Sequence, residues 1–247
     1  MIKKIFKVSF VVLALVGVGA FVQTASASHA WGNYHWAHTV SPFTLKLGDN
    51  VSTTADWSVS DVLDTTLVSG SSNPRNCRAT AGMVQVCDYK YGNNGWLGIA
   101  SVWANGNHIT QGTVKMNDTY FNTSKYNTPA WRNLVMCQEV GHTFGLAHQD
   151  EIFDNPNLGT CMDYTNDPST NQHPNLHDYE MLDIIYTHLD SITTVSQTLA
   201  LAKQEVDHND PATWGKKVHA SSKDHGDLYE RDFGNGNKVF TFVVWAK

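Results

Sequence analysis

The run Gln138-Glu139-Val140-Gly141-His142-Thr143-Phe144-Gly145-Leu146-Ala147-His148 constrains this chain more than any other stretch. On an α-helix residues four apart share a face, so Gln138 and His142 would point the same way and grip one ion. Gly145 can take the left-handed conformation that ends a helix, which would swing His148 back toward that ion. Glu139 stands beside the pair, where a general base for a metal-bound water is needed. A fold that uses these residues together must present a helix that ends in a sharp turn, with its polar face toward a cleft.

Other stretches surround this run with ordinary secondary-structure signals. Thr128-Pro129 offers an N-cap followed by proline at the first helical position, so the spacing predicts a helix from there to about Phe144. One face carries Trp131, Val135, Gln138 and His142, and an adjoining face carries Leu134, Cys137, Gly141 and Phe144 as a core stripe. Trp96 to Trp103 and Ile109 to Met116 read as two strands joined by Ala104-Asn105-Gly106-Asn107. Met181, Leu182, Ile185 and Leu189 recur at helical spacing within His177–Leu189.

Glu139, His142, Gly145 and His148 resemble the metzincin zinc-protease signature H-E-x-x-H-x-x-G-x-x-H, with glutamine in place of the first histidine. Gly159-Thr160-Cys161-Met162-Asp163-Tyr164, with Met162 fourteen residues after His148, resembles the Met-turn of that group. In the astacin and serralysin branches a tyrosine two residues after the methionine can reach the metal, which is the position of Tyr164. The strand pair resembles the matrixin segment preceding the active-site helix, whose first strand is the sheet edge beside the cleft. An exposed edge binds extended peptide as a further strand, and Gly98, Ala100 and Ser101 are small enough to admit one. His177–Leu189 resembles the helix that closes the metzincin domain. The resemblance runs from about Trp31 to Leu189, with specific motifs only from Gln138 to Tyr164.

The resemblance implies an α+β fold: a twisted mixed sheet with an antiparallel edge strand, an active-site helix, a Met-turn and a C-terminal helix. It implies Zn2+ held by Gln138, His142 and His148, with Glu139 and Tyr164 catalytic. Asp150 is a lower-ranked ligand, similar in type though not in offset to the aspartate of snapalysin-like enzymes. The implied activity is peptide-bond hydrolysis on an extended peptide or protein. The glutamine keeps two alternatives in view: a pseudoprotease that binds extended peptides without cleavage, and a surface interaction protein. Carbonyl oxygen suits harder ions than imidazole does. Loops such as Asp207-His208-Asn209-Asp210 make structural Ca2+ a further candidate, as in several metzincins, although they match no twelve-residue calcium loop.

Export follows from the start of the chain. Lys3, Lys4 and Lys7 precede an apolar run from Val8 to Val22, and Ala25-Ser26-Ala27 supplies a small-x-small cleavage site. A run of about fifteen residues is too short to span a bilayer, so no membrane anchor is expected after cleavage. Residues 1–27 read as the signal peptide, 28–190 as the protease-like domain and 191–247 as a linker with a β-hairpin extension. Loss of 1–27 removes three lysines and no acid, taking the net charge from −6 to −9. No basic block survives, which argues against nucleic acid as a partner.

Four cysteines in an exported chain read as two disulfides with three possible connectivities. Cys77–Cys87 closes a short loop and is the first pairing by proximity. Stacking of the helix on the Met-turn, implied by the resemblance, pairs Cys137 with Cys161.

The rest of the chain is less distinctive. His29, His35 and His38 lie in an aromatic-rich stretch that suits a buried strand, where histidines are more often hydrogen-bonded than metal-bound. Phe43–Leu47 alternates as a strand, and Trp57, Val62, Leu63 and Leu67 fit a helix over Thr53–Leu67. Val195, Leu199, Ala202 and Val206 suit a short helix. Asp227–Asp232 and Lys238–Trp245 flank Phe233-Gly234-Asn235-Gly236-Asn237 as a hairpin whose second strand, apolar on both faces, requires cover.

Overall fold

The structure is a computed structural model and describes residues 28–51, 63–70, 72–198, 206–220 and 226–246. The signal-peptide reading of residues 1–27 lies outside these residues, as do 199–205 of the expected Val195–Val206 helix.

The architecture is α+β, one large mixed sheet with few helices. The strands are β1 (His35–Trp36), β2 (Phe43–Asn50), β3 (Leu63–Ser69), β4 (Met83–Tyr89), β5 (Trp96–Asn105) and β6 (His108–Asn117). Later come β7 (Lys216–Ala220), β8 (Gly226–Gly234) and β9 (Asn237–Trp245). Their order is β3-β2-β4-β6-β5-β9-β8-β7, with β1 pairing β6. β1, β2, β3, β4 and β6 are joined by parallel ladders, and β5, β9, β8 and β7 by antiparallel ones. The sheet is therefore a parallel half continued by an antiparallel half, and β5 is the seam.

Helix α1 (Asp118–Phe121) is short, α2 (Pro129–His142) is the expected central helix, and α3 (Leu176–Tyr186) follows the Met162 turn. Thr128 caps α2 by accepting from Trp131 N–H, with proline next as the spacing predicts. Asn175 and Asp178 close a capping box on α3.

Both faces of the sheet are covered, which explains why β5 and β6 are buried almost throughout. One face, carrying Leu97, Ala100, Val102 and Val114, packs with α2, α3 and the N-terminal aromatics. The other, carrying Trp96, Ile99, Trp103, Val239 and Val243, packs under Trp214 and Val206. Phe240 and Phe242 of β9 belong to the first layer, so β9 is sandwiched from both sides.

Three readings change. Leu63–Ser69 is strand, not helix, because it pairs in register with β2 from Phe43↔Leu63 to Asp49↔Ser69; the ladder overrides a loose helical spacing. Residues 52–62 lie outside the described residues. β5 is not a sheet edge: its free side is taken by β9, from Trp96↔Trp245 to Asn105↔Asn237. The hairpin of residues 191–247 exists as β8–β9, but it is built into the main sheet and finds the cover its apolar second strand requires. Segment 191–197 is tied to the body, Thr194 N–H donating to Ala37 and Ser196 N–H to Gly82.

Both disulfides form, Cys77–Cys87 and Cys137–Cys161, the latter with Cα atoms 5.8 Å apart. The second joins α2 to the Met162 turn across 24 residues. Replacing Cys137 and Cys161 together by alanine is expected to lower stability by about 3 kcal/mol, the loop-closure value for that length. Urea denaturation of oxidised wild type and variant measures it, and a difference below about 1 kcal/mol would show that packing alone holds the turn.

Candidate functional site

The end of α2 decides the site's geometry. The last carbonyls of a helix lack partners within it. Here Trp31 Nε1–H donates to His142 O at 2.9 Å, Trp36 Nε1–H to Thr143 O at 2.9 Å and Tyr186 Oη–H to Phe144 O at 2.8 Å. Gly145 has φ +101°, and a Cβ there would lie 2.7 Å from Tyr34 O, so only glycine fits the turn. The chain reverses, Ala30 bridges Leu146, and His148 is returned to α2 with its ring centroid 4.6 Å from that of His142.

Each histidine has one nitrogen committed. His142 Nδ1 is 2.7 Å from Leu146 O, an acceptor only, so Nδ1 carries the proton and Nε2 the lone pair. His148 Nδ1 is 3.2 Å from Glu151 Oε1, and its Nε2 is buried with no hydrogen-bond partner. Burial holds both imidazoles below their ordinary range, for His142 with His148 adding to the effect, so both are neutral. Glu151 also accepts from His219 Nε2 of β7 at 2.7 Å. Burial alone would raise its pKa; these two donors overcome that and hold the carboxylate down at about 2.

Gln138 is buried, and its Nε2–H donates to Cys161 O at 3.1 Å. The carbonyl partner identifies the nitrogen end, which leaves Oε1 as the atom with ligand character. Glu139 is fully enclosed and both its oxygens lack a well-formed hydrogen bond. Burial pushes its carboxyl well above the usual range, opposed only by the Ala100 backbone. Tyr164 is buried with its ring 4.1 Å from His148 and stacked on Phe153 at 4.7 Å. Burial, and after it the charges of Glu151, Glu139 and Asp227, keep it a phenol that can donate rather than a phenolate.

The donor set suits zinc in kind. Two neutral imidazoles with Nδ1 anchored by a carbonyl and a carboxylate are the usual supports of metal-bound histidines, and His148 Nε2 is a buried atom in want of a partner. Gln138, one helical turn before His142, offers Oε1 as a candidate third donor. Asp150 fits less well: its oxygens accept from Ile152 N–H and Asn155 Nδ2–H and shape the loop instead. The candidate calcium loop is likewise occupied with itself, Asp207 accepting from Asn209 N–H and Asp210 from Ala212 N–H.

The cleft that should adjoin this constellation is filled by β9. Phe242 stacks on His142 with centroids 4.2 Å apart and 12° between planes. Behind it lies a cavity of about 240 Å³ lined by His148, Glu151, Tyr164, Asp227 and Phe242 among others. A second cavity of about 170 Å³ adjoins Gln138, Tyr164 and Val244. Gly226 of β8 approaches the Tyr164 hydroxyl so closely that a Cβ at 226 would overlap it.

The residues expected to meet a peptide are consumed inside the fold. A Cβ on Gly98 would overlap Val135 and come 3.1 Å from Glu139, so this glycine lets α2 cross β5. Ala100 is paired with Phe242, and Ser101 Oγ is 3.1 Å from His208 Nε2, whose Nδ1 is 2.9 Å from Lys115 Nζ. This buried Ser101–His208–Lys115 chain has no local signal in the sequence.

Other polar groups also escaped sequence reasoning. Asp178 gathers His29, Gln149 and Thr160, tying the Met162 turn to α3. Away from α2, His35, His108 and Asp190 have ligand atoms all within 4.8 Å of one another. No family model, curated protein or solved structure matches this chain.

Phe242→Ala should destabilise the protein by about 3–5 kcal/mol, the usual range for emptying a buried phenylalanine site. Its ring joins Trp31, His142 and the β9 layer at once. Chemical denaturation should show the midpoint falling; a loss under about 1 kcal/mol would mean β9 is held by its ladder and not by this ring.

Proposed function

We propose that this chain is a secreted zinc-dependent endopeptidase of the metzincin type. The observation that carries the proposal is the pair His142 and His148, ring centroids 4.6 Å apart and each with Nδ1 anchored so that Nε2 keeps its lone pair, on and just after the helix that carries the buried carboxyl of Glu139. Two disulfides suit an oxidising compartment, and no helix among the described residues is long and apolar enough to cross a membrane.

His142, His148 and the Gln138 amide oxygen would hold the ion, which when bound lowers the pKa of water and polarises a carbonyl. Glu139 would take the proton of the attacking water and pass it to the leaving amine. Tyr164, a neutral phenol, would donate to the oxyanion. Glu151 keeps His148 in the tautomer that presents Nε2. In the conformation described, β9 holds the side of β5 that an extended substrate would use, so turnover requires β8 and β9 to yield.

A second reading rests on that same pairing. With Phe242 on the His142 ring and Glu139 enclosed, the constellation would serve as a non-catalytic metal site. Cleavage separates the two. The mature protein should degrade casein, and a chelator should stop it. Glu139→Gln should leave folding and metal content intact and lower cleavage by about 10² to 10⁴-fold, the usual value of general-base catalysis. Cleavage undiminished in that variant would remove Glu139 from the mechanism, and wild type that binds zinc without cleaving would establish the second reading.

Gln138→His tests the third ligand. Residue 138 already shares the His142 face, so the substitution should raise zinc affinity at least about 10-fold without moving the backbone. Competition with a chromophoric chelator reads this directly. Equal or weaker affinity in the variant would show that Gln138 does not face the metal.

A further inference from the structure

We infer that His35, His108, His188 and Asp190 form a separate structural site for a divalent transition ion of the zinc class. The inference does not depend on the activity proposed above. The four side chains come from three distant parts of the chain. His35 in β1 and His108 at the start of β6 are register partners in the parallel ladder. Asp190 follows α3 and is locked to the N-terminal segment, its N–H donating to His38 O at 2.9 Å and its Oδ2 accepting from His38 N–H at 3.0 Å.

The tautomer of His35 is what calls for a cation. Its Nδ1 lies 2.9 Å from Asn33 O, which can only accept, so Nδ1 bears the proton. The Nε2 lone pair then faces Asp190 Oδ1 at 3.4 Å and His188 Nε2 at 3.1 Å. Asp190 Oδ1 is also 3.3 Å from His108 Nε2 and 3.8 Å from His188 Nε2. Donation from His188 Nε2–H to His35 and from His108 Nε2–H to Asp190 would still leave the His35 lone pair facing the Asp190 oxygen at 3.4 Å. One metal ion satisfies all four groups.

The spacing agrees with that assignment. Four ligands about 2.0–2.1 Å from a tetrahedral zinc stand about 3.3 Å apart. Here the four separations His35–Asp190, His35–His188, His108–Asp190 and His188–Asp190 run from 3.1 to 3.8 Å, and the ligand atoms of His35, His108 and Asp190 all lie within 4.8 Å of one another. Three imidazoles and one carboxylate suit zinc and its neighbours, whereas calcium and magnesium require an oxygen shell. With four protein ligands no position stays open for substrate, which marks the site as structural. The outer partners are in place: Asn33 O behind His35 and His38 N–H behind Asp190. His188 is half exposed, so an ion can enter from solvent. The ion would staple β1, the β5–β6 turn and the segment after α3.

The test uses the metal alone. Chelator-stripped mature His148→Ala, which lacks a ligand of the α2 constellation, is titrated with Co2+ and followed by visible absorption. One equivalent with the intense d–d bands of tetrahedral cobalt is expected, together with a rise in Tm on adding Zn2+. Adding His108→Ala or His188→Ala should weaken binding at least about 100-fold and abolish the Tm rise. A folded His148→Ala protein that takes up no cobalt overturns the inference, as does binding unchanged by both further substitutions. Should His148→Ala fail to fold, wild type and His188→Ala are compared instead. One equivalent fewer in the variant supports the site, and equal stoichiometry overturns it. Wild type and His148→Ala each binding one ion would keep this site and remove the metal role of α2.

Discussion

The reversal of the chain at Gly145 is the constraint from which the rest of the structure follows. Without it α2 would run on or fray, and His148 would not return to His142. Three aromatic donors, Trp31, Trp36 and Tyr186, each spend a polar hydrogen on a carbonyl at the helix end. All three are buried, two from the N-terminal stretch and one from α3. The N-terminal stretch and α3 are thereby fastened to the same turn, so the hydrogen bonds that end one helix also assemble the layer above the sheet. Each deep donor left unpaired there would cost about 1–3 kcal/mol.

Local chemistry was legible in the sequence wherever one segment sufficed to specify it. Thr128-Pro129 marks the start of α2, Gly145 its stop, and Gly234-Asn235-Gly236 the β8–β9 turn, because each depends on the conformational limits of a few neighbouring residues. The partner of β9 was not legible. Its nearly continuous apolar run demands cover on two faces but carries no information about which strand lies alongside. Leu63–Leu67, the described end of the expected Thr53–Leu67 helix, was misread for a related reason: its spacing tolerates a helix, and only the ladder with β2 excludes one.

The site residues divide along the same line. The approach of His148 to His142 was legible because one glycine turns the chain, and helical period sets Gln138 on the His142 face. The roles expected of Gly98 and Ser101 did not follow, because smallness in a strand is equally the mark of a crossing helix or a buried network, and here both occur. His35 stood out in the sequence beside His29 and His38, yet the fold sends the three in different directions. His29 goes to Asp178, His38 stacks on Phe43 and holds Asp190 from behind, and His35 presents its ring nitrogen to the ligand cluster. His108, His188 and Asp190 lie too far along the chain for any spacing rule to join them.

The pairing of β9 with β5 also sets an order of events. Gly98 meets Val244 across nearly the whole length of the domain, whereas β5 meets β6 through a tight turn. Contacts closed over long loops form late, since the chain entropy they remove is large. The helix, its glycine turn and the two histidines can therefore come together while Phe242 is still elsewhere. Before β9 pairs, the ring of His142 would lack the Phe242 stack that covers it in the folded protein. An ion destined for this place would be captured by a nascent protein with an incomplete sheet, and the final strand would then govern how slowly it can leave.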